Sequence, residues 1–141
     1  MKNKERIYGG EISWLESSIM YHEINNNGLQ SLDGINSELD KTKYNIDRMI
    51  NMMQGNKVFL VTDLRSLKNN IPKVSRDYSE KMLNPHLITC AVIMKSSLSR
   101  IFGNLLLSFN KKNGITIKLF SDVDAALTWS RAQKEALVSS Y

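Results

Sequence analysis

The chain has little of what cross-links, kinks or ligates. It has one cysteine, Cys90, in 141 residues. That excludes an internal disulfide and a cysteine-based zinc site. Set in an apolar run, Cys90 reads as a small buried core residue. The two histidines, His22 and His86, are far apart and lack an acidic cluster, a poor basis for a metal site. The seven glycines form no phosphate-cradling G-x-x-x-x-G-K-[ST] loop. No G-x-S-x-G elbow presents a nucleophile. No enzyme chemistry, metal or cofactor is therefore expected. The longest apolar runs, such as Leu105–Leu107, fall far short of the ~20 residues of a membrane span. The charged start M-K-N-K-E-R lacks the apolar stretch of a secretory leader. The expectation is a cytoplasmic protein without membrane insertion.

What is present is ordinary globular material, 42% hydrophobic and 23% charged. A domain of this length buries roughly 68% of its unfolded surface and needs no staple. The net charge of +5 is uneven. Residues 1–70 carry nine basic and nine acidic side chains, and residues 71–141 carry ten and five. Lys81, Lys95, Arg100, Lys111, Lys112 and Lys118 lie in a stretch from Lys81 to Ser121 that has no acid. Surface aromatics do not interleave with these charges, so a solvated rim is expected and a nucleic-acid partner is not.

Along the chain, residues 1–10 read as a flexible tail and residues 11–141 as one domain. Glu11–Leu15 and Ile19–Ile24 are short strands, and Asn25–Gly28 (N-N-N-G) is a turn. Leu29–Leu32 is a further short extended piece. Ser37-Glu38-Leu39-Asp40 fits a capping box and opens a helix to about Gln54. Leu39, Ile46, Met49, Ile50 and Met53 form its apolar stripe, and Gly55 sits at its C-cap. Lys57–Thr62 contains V-F-L-V-T, an uninterrupted apolar run typical of a strand buried on both faces. Leu64–Lys73 is a loop. Val74–Leu83 is a helix with Val74, Tyr78 and Met82 on one line, ended by Asn84-Pro85.

The last third is the most patterned. Leu87–Met94 is a second central strand. A helix opens at Ser96–Ser99, carries Leu98, Ile101, Phe102, Leu105, Leu106 and Phe109 at helical spacing, and closes at Lys111–Gly114. Ile115–Phe120 is the last strand. Ser121–Asp124 caps a final helix with Ala125, Trp129, Ala132 and Ala136 along one face. This strand–helix–strand–helix order defines an α/β fold, with a sheet mainly parallel in its C-terminal part.

Three segments carry a family resemblance: V-F-L-V-T-D-L, L-I-T-C-A-V-I-M-K-S-S-L-S-R-I-F-G-N and I-K-L-F-S-D-V-D-A-A-L-T-W. Over about Val58 to Ala132 they resemble the STAS-like (SpoIIAA-like) domains, closest to bacterial members of unknown function. The resemblance implies a SpoIIAA-like mixed sheet of four to five strands packed with about four helices. It also implies a regulatory protein-interaction module. In the anti-sigma-antagonist branch a serine in a D-S-S-G-L-like loop is phosphorylated, and the equivalent loop here, Leu64–Lys73, lacks that motif. Ser130 departs from the family pattern, in which an apolar residue usually follows the Trp.

Candidate binding residues follow from position and resemblance. Asp63 ends a central strand, where α/β folds place functional groups; its structural alternative is a bond to the backbone of the next loop. Arg65 and Ser66 lie in that loop, and Ser75 reads as the cap of the next helix. Ser97, Arg100 and Asn104 lie in the central motif, with Asn104 expected to bond a neighbouring carbonyl. The leading expectation is a non-enzymatic STAS-like module that docks a protein partner through Leu64–Lys73 and Val74–Leu83. Self-association as a homodimer, through an edge strand or the N-terminal hairpin, is a further expectation. The alternative is a small apolar-ligand or lipid-binding domain, its pocket lined by Met49, Met53, Phe102, Leu106 and the last helix.

Overall fold

The computed structural model describes residues 3–30, 34–35, 37–68, 71–95 and 115–139. Six strands form one mixed sheet in chain order: β1 (Lys4–Ile7), β2 (Gly10–Glu16), β3 (Ile19–Ile24), β4 (Val58–Asp63), β5 (Leu87–Ile93) and β6 (Thr116–Phe120). The first three pair antiparallel, and β3 through β6 are parallel. The helices are α1 (Glu38–Met53), α2 (Lys73–Leu83), which runs into a 3₁₀ turn at Asn84–His86, and α3 (Val123–Ser139). The α/β class and the parallel C-terminal half match the sequence. The helix expected between Ser96 and Gly114 lies outside the described residues.

Among the described residues the sheet has six strands, where four to five were expected. The added strand, β1, corrects the reading of residues 1–10 as a tail. K-E-R-I looks solvated because three of its four residues are charged, yet Ile7 is fully buried. Lys4 pairs with Glu11 across the hairpin at 2.8 Å, and the Trp14 N–H donates to the Asn3 carbonyl at 2.9 Å. The Asn45 side chain of α1 grips the following turn, accepting from the Tyr8 N–H at 2.8 Å and donating to the Tyr8 carbonyl at 3.0 Å. The Asn25–Gly28 turn then crosses closely over this corner, where Leu29 N–H donates to the Ile7 carbonyl at 2.8 Å. Gly28 is required there, because a Cβ would run into the backbone of Gly9 and Gly10.

Alternation along the strands divides the core into two layers. Ile12, Met20, Val58, Leu60, Cys90 and Val92 face α1, with its Ile46, Met49 and Met53, and α2, with its Leu83. Ile19, Phe59, Val61, Ala91 and Ile93 face α3 through Ala126. With consecutive parallel strands side by side, right-handed crossovers put their helices on one face, and α1 and α2 do share theirs.

Local signals set the ends of the helices. Ser37 Oγ accepts from the Asp40 N–H at 3.0 Å, as the capping box requires. Gln54 and Gly55 both take left-handed backbone and stop α1. Asp122 Oδ1 accepts from the Ala125 N–H at 2.8 Å and caps α3.

Two helix faces differ from expectation. On α2, Tyr78 and Met82 pack against the core as expected, but Val74 is 54% exposed, and Ser75 and Leu83 are buried beside them. Ser75 is thus not a cap: Pro72 precedes the helix and Ser75 lies inside the first turn. Of the expected α3 face, Trp129 packs against the core but Ala125, Ala132 and Ala136 are exposed, while Ala126 and Ser130 are fully buried. The docked face is rotated by one residue because two small side chains four apart let the helix lie close to the sheet. Among the described residues no helix is long and apolar enough to cross a membrane.

Candidate functional site at the carboxyl edge of the sheet

Asp63 is the last residue of β4, a strand flanked on both sides by parallel neighbours, and it is only 3% exposed. A lone carboxylate there would be costly to bury. The chain answers with four donors. Asp63 Oδ1 accepts from the Arg65 backbone N–H at 3.1 Å and from Arg65 Nε at 3.0 Å. Asp63 Oδ2 accepts from Arg65 Nη2 at 2.7 Å and from the Tyr21 hydroxyl at 2.6 Å. The Arg65 contact is the bidentate fork that guanidinium and carboxylate planes favour. Tyr21 arrives through register: it lies opposite Val61, and Asp63 is two residues further along the same face.

These contacts set the charge states. Burial pushes the Asp63 carboxyl up, but donation from the Arg65 side chain, the Tyr21 hydroxyl and the Arg65 backbone outweighs it, and the net displacement is downward. Burial and the bonded Asp63 carboxylate push the Tyr21 hydroxyl upward. The Asp63 carboxylate raises the Arg65 guanidinium. The trio is therefore a fixed anion held between a neutral phenol and a permanent cation. With four donors on two oxygens, Asp63 is poorly placed to act as a base. It anchors the loop after β4, as its structural alternative foresaw.

The loop turns outward from that anchor. Leu64 N–H donates to the Ile93 carbonyl at 2.9 Å, and Leu67 N–H to the Leu64 carbonyl at 3.0 Å. The Arg65 side chain is 41% exposed and Ser66 is exposed. Ser75 is buried, and its hydroxyl has no partner among the described residues. Asp63, Arg65 and Ser66 thus lie together; Ser75 lies apart, on the buried face of α2. Ser97, Arg100 and Asn104 lie outside the described residues.

Tyr21 was missed by sequence reasoning. Forty-two positions separate it from Asp63, and only strand register brings them together. His22, next to it, lies opposite Ile12 and Thr62. Burial pushes its imidazole down to about 4, against an upward pull from Asp63. Burial pushes the Cys90 thiol up to about 12, so it remains an inert thiol. Among the described residues no group of three His, Cys, Asp or Glu side chains could hold a metal ion.

The apolar pocket expected between Met49, Met53 and the last helix is corrected. Met49 and Met53 belong to α1 and pack with it on one face of the sheet, and α3 packs on the other. The sheet itself stands between them. Phe102 and Leu106 lie outside the described residues.

Fold and site together define an α/β mixed-sheet domain with a carboxylate-anchored loop at the carboxyl edge of its parallel strands. The chain belongs to a family described as a domain of unknown function (DUF7793), whose model matches residues 13–134. No curated protein and no solved structure matches it.

Proposed function

We propose that the chain is a non-enzymatic, STAS-like protein-interaction module that docks a protein partner through the β4–α2 loop and the outer face of α2. The observation that carries this reading is the saturation of Asp63. The position where parallel sheets place reactive groups holds a carboxylate already bonded by Tyr21 and Arg65. What it presents outward is a shaped surface: the half-exposed Arg65, the exposed Ser66, and Val74 at 54% exposure. The bonds from Asp63 to Arg65 hold the start of the loop, and a pre-ordered segment reduces the ordering cost of association. The parallel run β3 to β6, with helices on both faces, supports the STAS-like part of the reading. Within it the module is a cytoplasmic regulator.

The test is site-specific photocrosslinking in the host cell. A photoreactive residue is placed at Ser66, at Val74 and, on the opposite face of the sheet, at Ala125. The expected result is one protein adduct of the same mass from Ser66 and Val74, absent from Ala125. Equal labelling from all three sites would sink the reading. So would no adduct together with a native mass a few hundred daltons above the bare chain; that result would restore the small-ligand alternative.

A further inference from the structure

An open groove of about 890 Å³ lies at the amino edge of the parallel strands. It is bounded by the start of β1, the β2–β3 turn and the last turns of α1. It exists because α1 stops early: Gln54 and Gly55 take left-handed backbone and lead the chain away. The volume falls in the range of small-molecule sites.

The charges around it do not balance. Glu5, Glu16, Arg48 and Lys57 line the groove. Two more cations reach its rim from α3: Arg131 Nε donates to Glu16 Oε1 at 2.6 Å, and Lys134 Nζ to the Ser17 carbonyl at 2.5 Å. Four cations therefore stand against two carboxylates, and both carboxylates are already engaged, Glu5 by Arg48 and Glu16 by Arg131. The Arg131 hydrogen bond, with the Lys134 charge behind it, holds the Glu16 carboxyl below its ordinary value. Glu135, the next residue on α3, is exposed and does not line the groove. Donors remain after these pairings. Lys57 is exposed and has no ion-pair or hydrogen-bond partner among the described residues. Arg48 spends Nε and Nη2 on Glu5 Oε1, which leaves Nη1 without a partner among the described residues. The negative end of α1, which would oppose an anion, is blunted. The Asn51 and Met53 carbonyls accept from the Gln54 and Asn56 N–H groups at 3.2 and 3.1 Å.

We propose that this groove binds a small molecule through a phosphate monoester group. Near neutral pH such a group carries about −1.5 to −2 charges, which matches the positive excess here. Its oxygens accept in several directions, and the cations arrive from three elements: α1, the segment before β4, and α3. A planar carboxylate carries one charge and is satisfied by a single fork. This site lies at the opposite edge of the sheet from the β4–α2 surface and does not depend on the docking proposal.

The test is titration of the full chain, at low ionic strength, with glucose 6-phosphate, glycerol 3-phosphate and AMP, followed by backbone amide shifts. Glucose, glycerol, adenosine, glucuronate and an oligothymidylate serve as controls. At least one monoester is expected to shift the Ser17, Ser18 and Lys57 amides saturably, while its uncharged parent leaves them in place. Lys57→Gln is expected to weaken that binding at least fivefold, which is about 1 kcal/mol. Lys73→Gln removes the same charge at the opposite edge and should change the affinity less than twofold. Both lysines are exposed, so the fold persists in both variants. No saturable shift with any monoester up to its solubility limit would overturn the proposal. Equal weakening by the two variants would also overturn it, because it would mean a diffuse attraction to a basic chain. So would glucuronate binding as tightly as the monoesters, or tighter binding by the oligothymidylate, which would make the groove part of a longer strand-binding surface.

Discussion

Replacing Asp63 by Asn removes one charge and almost no volume, so it isolates the anchor. Asn offers one acceptor oxygen where the carboxylate offered two, and its amide N–H groups then face donors. Either the Tyr21 hydroxyl or the Arg65 fork loses its acceptor. A charge-assisted hydrogen bond contributes about 1.5–3 kcal/mol. Arg65 is 41% exposed, so water replaces part of what it loses. The net cost is about 2 kcal/mol, which for a domain of this size lowers Tm by about 6 °C. Thermal unfolding followed by circular dichroism measures it. The effect also has a pH signature. The folded carboxyl sits below its ordinary value of 3.8, so its stabilisation is complete above that value and is lost as pH falls through the lower folded value. The gap between wild type and Asp63→Asn is therefore constant near neutrality and closes in acid. An unchanged Tm, or a gap that widens in acid, would refute the anchoring argument.

Three further outcomes follow from groups that the fold encloses, His22 partly and Gly28 and Ser130 closely. His22 is neutral in the fold, with its imidazole pushed from 6.5 down to about 4; protonation of the unfolded chain therefore removes up to about 3 kcal/mol as pH falls from 6.5 to 4. Urea titrations across that window should show the slope in wild type and its loss in His22→Gln. Gly28→Ala drives a Cβ into the backbone of Gly9 and Gly10 and should cost about 3 kcal/mol, read as a lowered urea midpoint. Ser130 is fully buried and its hydroxyl has no partner among the described residues, so Ser130→Ala should stabilise by about 1 kcal/mol in the same assay.

The strands were legible where one periodicity dominated. The β4 run V-F-L-V-T could only be buried on both faces, β5 followed from an equally apolar run, and β6 from the shorter, mixed T-I-K-L-F. The ends of α1 and the start of α3 were legible because Ser37, Gly55 and Asp122 are local signals. β1 was not, because its single buried side chain, Ile7, sits among charges whose partners Glu11 and Arg48 lie elsewhere in the chain. The faces of α2 and α3 were legible in part, through Tyr78, Met82 and Trp129, and the rest was missed for a related reason. Val74 and the alanines of α3 are small enough to tolerate either environment, and the sheet chose Ser75, Ala126 and Ser130. Of the candidate site, Asp63, Arg65 and Ser66 were legible from position alone. Tyr21 was not, since no local pattern encodes which residue of β3 lies beside β4.

The measurement that tests the central claim most directly is a ¹³C carboxyl NMR titration that follows Asp63 in the wild-type chain. An anchoring carboxylate bonded by Tyr21 and Arg65 titrates below 3.8, and its midpoint rises when Arg65 is replaced by Ala. A midpoint above 3.8, insensitive to Arg65, would mean a carboxyl free to exchange protons. It would contradict the reading of this edge as a fixed docking surface.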